Sequence, residues 1–297
     1  MLMKNRDSLY MAPSLTDATA ALRERGREGA ALAGATWVMR APLRHQPMAR
    51  AYVALSRIED LRRIEFRDDH IAIGASVTHE QLAAALHGEP SLSALLQAAA
   101  QSANPAVRRV ATVGGNLCTT DFAAADLIPA LLCLEADVVL ANFGEEVRLP
   151  LAKFLEVREN LEPGSLVSRV IVPRQCKEVA RHTAHARLPL RKAGDYPVAI
   201  VSLAVDIDHA GVIGNARAAV GSVEAVARRW TALEERLTGQ RFDPQAIGDL
   251  SADCLDDFSG RDGVEAPGWY RVKVLPSLAR RAAMAVAARI PSPASMN

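Results

Sequence analysis

The sequence predicts an α+β protein assembled from two or three packed units, and three observations carry that prediction. A chain of 297 residues with 49% hydrophobic content exceeds one small core and can fill several. Alternating apolar and polar stretches at residues 64–75 and 136–151 read as antiparallel hairpins. Beyond residue 182, three more alternating stretches are followed only by helical periods, the order expected of a sheet backed by a helical layer.

Composition excludes several classes of function. Thirty-five basic and 34 acidic side chains leave a net charge of +1, so no global field attracts nucleic acid or an anionic membrane. The longest apolar runs, such as 127–134, fall far short of the roughly 18 residues needed to cross a bilayer. Residues 1–7 lack the apolar core of a signal peptide, so a soluble cytoplasmic protein is expected. Cys118, Cys133, Cys176 and Cys254 show no close pairing of the kind that holds zinc or an iron–sulfur cluster. No metal site is expected on this chain. If it handles electrons, the clusters sit on another polypeptide.

The elements follow in order. Ser14 or Thr16 caps a helix through Leu22 and Arg25, which Gly26 stops. Residues 30–33 read as a buried strand entering the turn Ala33-Gly34-Ala35-Thr36, and 52–55 as another strand of this first lobe. Ser56 is expected to cap a short helix over 57–62. The hairpin of 64–66 and 70–75 comes next, then a helix from Thr78 through Leu86 and one from Ser91 or Ser93 through Ala100. His79-Glu80 lacks the second histidine of a zinc-protease helix. Residues 126–134 read as a helix with Pro129 in its first turn, and 166–172 as a strand ending at Pro173. The charged stretch 174–181 marks the main boundary. Strands over 182–188, 198–206 and 211–221, helices over 224–237, 244–258 and 268–289, and a tail at 291–297 complete the chain.

The most informative stretch begins at Val110. Val110-Ala111-Thr112-Val113 fits a short strand and runs into Gly114-Gly115-Asn116, residues tolerant of positive φ. Successive N–H groups in such a turn can converge on an anion, with Thr112 and Asn116 at the rim. The same tripeptide also makes an ordinary hairpin turn. With Ala33-Gly34-Ala35-Thr36, however, the chain offers two loops from separate strands, which suits a pyrophosphate better than one. Ala35 carries a Cβ where backbone approaches the ligand, so its loop is expected to keep negative φ or to stand further off.

Ala33-Gly34-Ala35-Thr36, Ala111-Thr112-Val113-Gly114-Gly115-Asn116 and Ala124-Ala125-Asp126-Leu127 together resemble the FAD-binding medium subunit of the molybdenum hydroxylases, the carbon monoxide dehydrogenase and xanthine dehydrogenase family. The resemblance continues through Gly164-Ser165-Leu166-Val167, Arg191-Lys192-Ala193-Gly194-Asp195-Tyr196 and Trp269-Tyr270-Arg271-Val272. It implies a two-lobed FAD-binding domain of the PCMH type over 1–176, with lobes of about 1–56 and 57–176. A C-terminal α+β domain of the CO dehydrogenase flavoprotein type, a three-stranded antiparallel sheet with a helical layer, then covers 177–290.

It also implies cofactor contacts. Leu32, Ala33, Gly34, Ala35 and Thr36 form one FAD loop, and Ala111, Thr112, Val113, Gly114, Gly115 and Asn116 the other. Asp126 is an FAD contact by resemblance and a helix N-cap by its position before an apolar run. One extra residue separates it from Asn116 relative to the family pattern, so Asp121 competes. Tyr196 is a flavin-shielding ring by resemblance, or an edge aromatic with a wet hydroxyl. Lys192 or Arg191 places charge near the flavin N1–C2 edge, or is a solvated basic pair. Leu166 approaches the cofactor, or is a buried strand leucine. His45, His182 and His185 have no metal spacing and read as surface or packing residues.

No Ser-His-Asp spacing, Walker loop, Gly-x-Gly-x-x-Gly fingerprint or His-Glu-x-x-His is present, so no catalytic side chain is expected. The flavin supplies redox chemistry and the protein binds and orients it. The resemblance implies an FAD-binding electron-transfer subunit of a heterotrimer. A large subunit would hold the molybdopterin cofactor and a small subunit two 2Fe–2S clusters, and electrons would leave FAD for NAD, a quinone or another acceptor. A self-contained flavin-dependent oxidoreductase is one rival reading. A flavin-free scaffold, motivated by Ala35 and Trp37, is the other.

Overall fold

The computed structural model describes residues 8–142, 144–174, 180–190 and 196–290. In chain order the strands and helices are β1 (Leu9–Met11), α1 (Leu15–Arg25), β2 (Gly29–Leu32), β3 (Ala51–Ala54), β4 (Ile64–Phe66), β5 (His70–Gly74), α2 (His79–Ala85), α3 (Ser93–Gln101), α4 (Pro105–Arg108), α5 (Val113–Cys118) and α6 (Leu127–Cys133). There follow β6 (Asp137–Asn142), β7 (Glu145–Pro150), α7 (Leu151–Val157), β8 (Leu166–Pro173), β9 (Ala180–Pro189), β10 (Pro197–Ile207), β11 (Ile213–Gly221), β12 (Arg228–Arg229), α8 (Thr231–Leu237), α9 (Pro244–Ala252), α10 (Gly268–Lys273) and α11 (Leu275–Ala287). The described residues pack into two compact units, one falling within 1–82, 105–120 and 136–173, the other within 83–104, 121–135 and 174–297.

The first unit holds two sheets. The smaller is parallel with order β1-β3-β2, its register running Leu9 to Tyr52 and Gly29 to Ala51. Helix α1 starts where expected, the Ser14 hydroxyl accepting from the Asp17 amide at 3.2 Å, and ends at Gly26 with φ +57°. It buries Ala18, Ala21 and Leu22 against Val53, Leu55, Ile58 and Leu61. β2 was expected to be buried, yet it is an edge strand of small, half-exposed residues. The helix expected over 57–62 is only a 3-10 turn, Glu59–Arg62, with no side-chain cap.

The larger sheet is antiparallel with order β4-β5-β8-β6-β7, and the predicted hairpins form its two margins. At the start of β8, Gly164 sits at φ +99°, where a Cβ would come within 3.1 Å of the Thr19 carbonyl of α1. Leu166, next in this approach, joins the α1 core and is 7% exposed.

The second unit is built on the sheet β12-β11-β10-β9. Every residue of β10 is buried, so both faces of the sheet are covered. Ala199, Val201, Leu203 and Val205 meet Trp230, Leu233, Ile247, Leu278 and Ala282 from the C-terminal helices. The opposite face receives α3 and α6: the Ala94 amide donates to the Thr183 hydroxyl, and Pro129 fills the space a side chain at Gly221 would take. Where the sequence indicates one helical layer, the structure thus has two, the second contributed by segments earlier in the chain. The expected helix over 224–237 begins only at Thr231, because Arg228 and Arg229 pair with Val220 and Ala219 as the short edge strand β12. The final helix is broken at Val274, immediately before α11 with Pro276 in its first turn. Neither Ser91 nor Ser93 caps α3, whose N-cap is Leu92 with no side-chain bond.

Candidate functional site

The first loop leaves β2 at Leu32 and turns through Ala33-Gly34-Ala35-Thr36, all half-buried. Gly34 lies against the second loop so closely that a Cβ there would stand 1.8 Å from the Val110 carbonyl oxygen and 3.2 Å from the Ala111 Cα. The two loops singled out in the sequence therefore touch, and only glycine permits that contact. Ala35 adopts φ +59°, which corrects the expectation of negative φ. A non-glycine residue in this left-handed region is strained by about 1–2 kcal/mol, and the fold holds it there. Among the described residues the amides of Gly34, Ala35 and Thr36 donate to no protein acceptor. Consecutive N–H groups bent through a left-handed residue form a concave anion-binding surface. Beyond the loop, a 3-10 segment Val38–Arg44 carries Arg44, whose guanidinium lies 3.9 Å from the centre of the Trp37 ring.

The second loop differs from its sequence reading. Val110 and Ala111 are not a strand, and Val113-Gly114-Gly115-Asn116 is not a positive-φ turn but the start of α5. The N-cap Thr112 explains this: its hydroxyl accepts from the Gly115 amide at 3.1 Å and its carbonyl from the Asn116 amide at 2.9 Å. The Val113 amide donates to the Val77 carbonyl at 2.9 Å and the Gly114 amide to the Ala75 carbonyl at 2.7 Å. All four amides from Val113 to Asn116 are thus committed within the protein. A Cβ on Gly114 would come within 2.8 Å of the Ala75 Cβ, whereas one on Gly115 would meet only the Thr112 hydroxyl at 2.9 Å. The second loop is a fixed wall, and the first supplies the open donors. At the far end of α5 the buried Arg158 donates to the Leu117 carbonyl at 2.6 Å.

His79 supports this wall from the start of α2. It is 3% exposed, and its amide donates to the Ala111 carbonyl at 2.9 Å. Burial pushes its imidazole down to about 4, the charge of Arg108 pushes the same way, and a hydrogen bond to the Thr112 backbone opposes them. The ring is neutral at ordinary pH. The sequence carries no local signal for this role, since His79-Glu80 stands out only as an incomplete zinc-protease motif.

The remaining candidates stand as follows. Leu166 is a buried strand residue of the α1 core, while Arg191 and Lys192 lie outside the described residues. Tyr196 is half-buried and meets Phe122 edge-on at 5.8 Å. Asp126 is not a side-chain N-cap: it has helical dihedrals and makes no cap bond. It is 2% exposed, and its Oδ1 lies 2.9 Å from Arg187 Nε and 3.5 Å from His185 Nε2. His185 Nδ1 in turn lies 2.9 Å from the Ser202 hydroxyl, its cross-strand partner on β10. This buried polar group was not foreseen. The signal available was the two-residue spacing that puts His185 and Arg187 on one face of a strand.

An open groove of about 980 Å³ runs over the outer face of the five-stranded sheet, lined by Arg63, Glu65, Arg148 and Arg169 among others. Its charges are largely paired, as Arg148 with Asp137 at 2.7 Å and Arg169 with Glu146 at 2.6 Å. No residue of either loop lines it.

Two touching loops, one with consecutive open amides and one capped and rigid, make the candidate site for an anionic group. Comparison with known proteins gives its family. A family described as the FAD binding domain in molybdopterin dehydrogenase matches residues 4–175, and the CO dehydrogenase flavoprotein C-terminal domain matches residues 185–286. The chain is 28% identical over 277 residues to the 6-hydroxypseudooxynicotine dehydrogenase complex subunit alpha of Paenarthrobacter nicotinovorans, covering 91% of each. It is 26% identical over 277 residues to the putative xanthine dehydrogenase FAD-binding subunit of Escherichia coli K12, covering 92% of this chain and 94% of that one. Its fold matches a chain of the reconstituted CO dehydrogenase from Oligotropha carboxidovorans with a TM-score of 0.85 at 22% identity, covering 97% of this chain and 100% of that one. A chain of quinoline 2-oxidoreductase from Pseudomonas putida 86 matches with a TM-score of 0.83 at 21% identity, covering 95% of this chain and 96% of that one. The chain belongs to the FAD-binding subunit family of the molybdopterin dehydrogenases, and it is an oxidoreductase component.

The loops fit the cofactor that this family binds. The amides of Gly34, Ala35 and Thr36 would hold the pyrophosphate, and the Gly34–Val110 contact would keep them in place. FAD supplies one- and two-electron chemistry when bound.

Proposed function

We propose that this chain is the electron-transfer subunit of a heterotrimeric molybdenum hydroxylase. It takes electrons from 2Fe–2S clusters on a small subunit, which receive them from a molybdopterin-bearing large subunit. FAD on this chain passes them to an external acceptor such as NAD or a quinone. The observation that carries the reading is the Gly34–Val110 contact, which brings the two glycine loops together. Relatives named as subunits of dehydrogenase complexes support the assembly. In the same reading Leu32, Ala33, Ala111, Thr112, Val113, Gly114, Gly115, Asn116, Asp126, Leu166, Lys192 and Tyr196 also contact the FAD.

A native pull-down from the source cell, with an absorption spectrum and metal analysis, tests it. Two co-purifying partners with molybdenum, iron and FAD are expected. A lone yellow protein that turns over substrate without metal would replace this reading with a self-contained flavoenzyme.

A further inference from the structure

Ala75 to His79 and Ala111 to Gly114 run side by side, tied by the Thr78–Thr112 bridge and by the bonds from Val113 to Val77 and Gly114 to Ala75. His79 ends this ladder with two attachments of its own, its amide to the Ala111 carbonyl and its imidazole to the Thr112 backbone. Thr78 and Gln81 bond reciprocally across the first turn of α2 at 3.0 and 3.2 Å, so the backbone presenting His79 is itself fixed. Val110 immediately precedes the two residues His79 holds, and its carbonyl is the surface on which Gly34 rests.

We propose that His79 is a positioning residue for FAD. It touches no cofactor-binding amide. By holding Ala111 and Thr112 it sets where the Val110 carbonyl stands, and through Gly34 it sets the orientation of the Gly34–Thr36 amides. A neutral ring suits this place, since a cation would be buried at a helix start, where positive charge is disfavoured. The role explains a buried histidine that has no part in electron transfer. It rests on the assignment of FAD to these loops.

The test compares His79→Asn, which keeps an N–H donor near the Nδ1 position, with His79→Gln, which moves it one methylene outward, and His79→Leu, which removes it. Each full-length chain is stripped of flavin and titrated with FAD by fluorescence, with visible circular dichroism of the bound flavin and the melting point of the stripped protein recorded. Loss of one buried hydrogen bond predicts that Leu and Gln raise the FAD Kd about tenfold or more and change the flavin dichroism, while Asn stays within about threefold. Should Leu fail to fold, the Asn–Gln pair decides. Equal Kd values for Asn and Gln, or wild-type affinity in folded Leu protein, would overturn the proposal. A wild-type chain that takes up no FAD would overturn the cofactor assignment and this role with it.

Discussion

Asp126 Oδ1 stands 2.9 Å from Arg187 Nε, with both side chains shielded from water. The Arg187 guanidinium donates through Nη1 to the Gln101 carbonyl at 2.7 Å, so an ion pair and a hydrogen bond hold it at two points. Removing one member of a buried pair leaves the other charge uncompensated, which costs about 3–5 kcal/mol. Asp126→Ala is therefore expected to lower unfolding free energy by that amount in urea titrations, and Asp126→Ala with Arg187→Leu to recover much of it. An equal loss with and without FAD would make the counterion role the whole of what Asp126 does. A larger loss in the flavin-loaded protein would add the cofactor contact.

Ala35 presents the opposite case, a residue the loop would rather lack. Its φ of +59° costs more in alanine than in glycine, while glycine loses about 0.4–1 kcal/mol through its freer unfolded chain. The balance predicts that Ala35→Gly stabilises by about 0.5–1 kcal/mol and keeps FAD affinity. Ala35→Val should lower both, and thermal melts with flavin titration will read them.

The pH dependence of stability has one identifiable source in His79. Its folded value, about 4, lies below the ordinary 6.5, chiefly through burial. Between those values the unfolded chain takes up a proton that the folded chain refuses, so this contribution is full above 6.5 and is lost as pH falls towards 4. His79→Gln should flatten that part of the profile. Urea unfolding at several pH values would show it, and parallel wild-type and variant profiles would contradict it.

Gly114 and Gly115 are adjacent yet differently constrained. Valine at 114 would drive into the Ala75 backbone and side chain, whereas at 115 it would press only on a movable hydroxyl. Gly114→Val is expected to cost about 2 kcal/mol or more and Gly115→Val less. Reversed costs would contradict a helix that starts at the Thr112 cap.

The strands were legible because their alternation survives in the fold: the hairpins at 64–74 and 137–150 and the long strands β9, β10 and β11 fall close to where period and turn residues put them. The central loop was misread because β-branched residues before two glycines favour strand and turn locally. The bonds that make it a helix reach back to Ala75, Val77 and Thr112, and two of those three partners lie more than thirty residues away. The Asp126 group was hidden for a similar reason. Its partners sit at 185, 187 and 202, and no local spacing links a helix start to a strand face. Gly34 was found as a candidate, but its reason, contact with Val110, was visible only in the fold.

The central claim is that the two loops make one cradle through Gly34. Gly34→Ala adds a single methyl group, which the Val110 carbonyl would meet at 1.8 Å. FAD titration of the flavin-stripped wild-type and Gly34→Ala chains, with far-ultraviolet circular dichroism to confirm folding, measures it directly. The account predicts tight, yellow-coloured wild-type protein and a folded variant whose FAD affinity falls about a hundredfold, the equivalent of about 3 kcal/mol. A folded Gly34→Ala chain that binds FAD as tightly as wild type would contradict it.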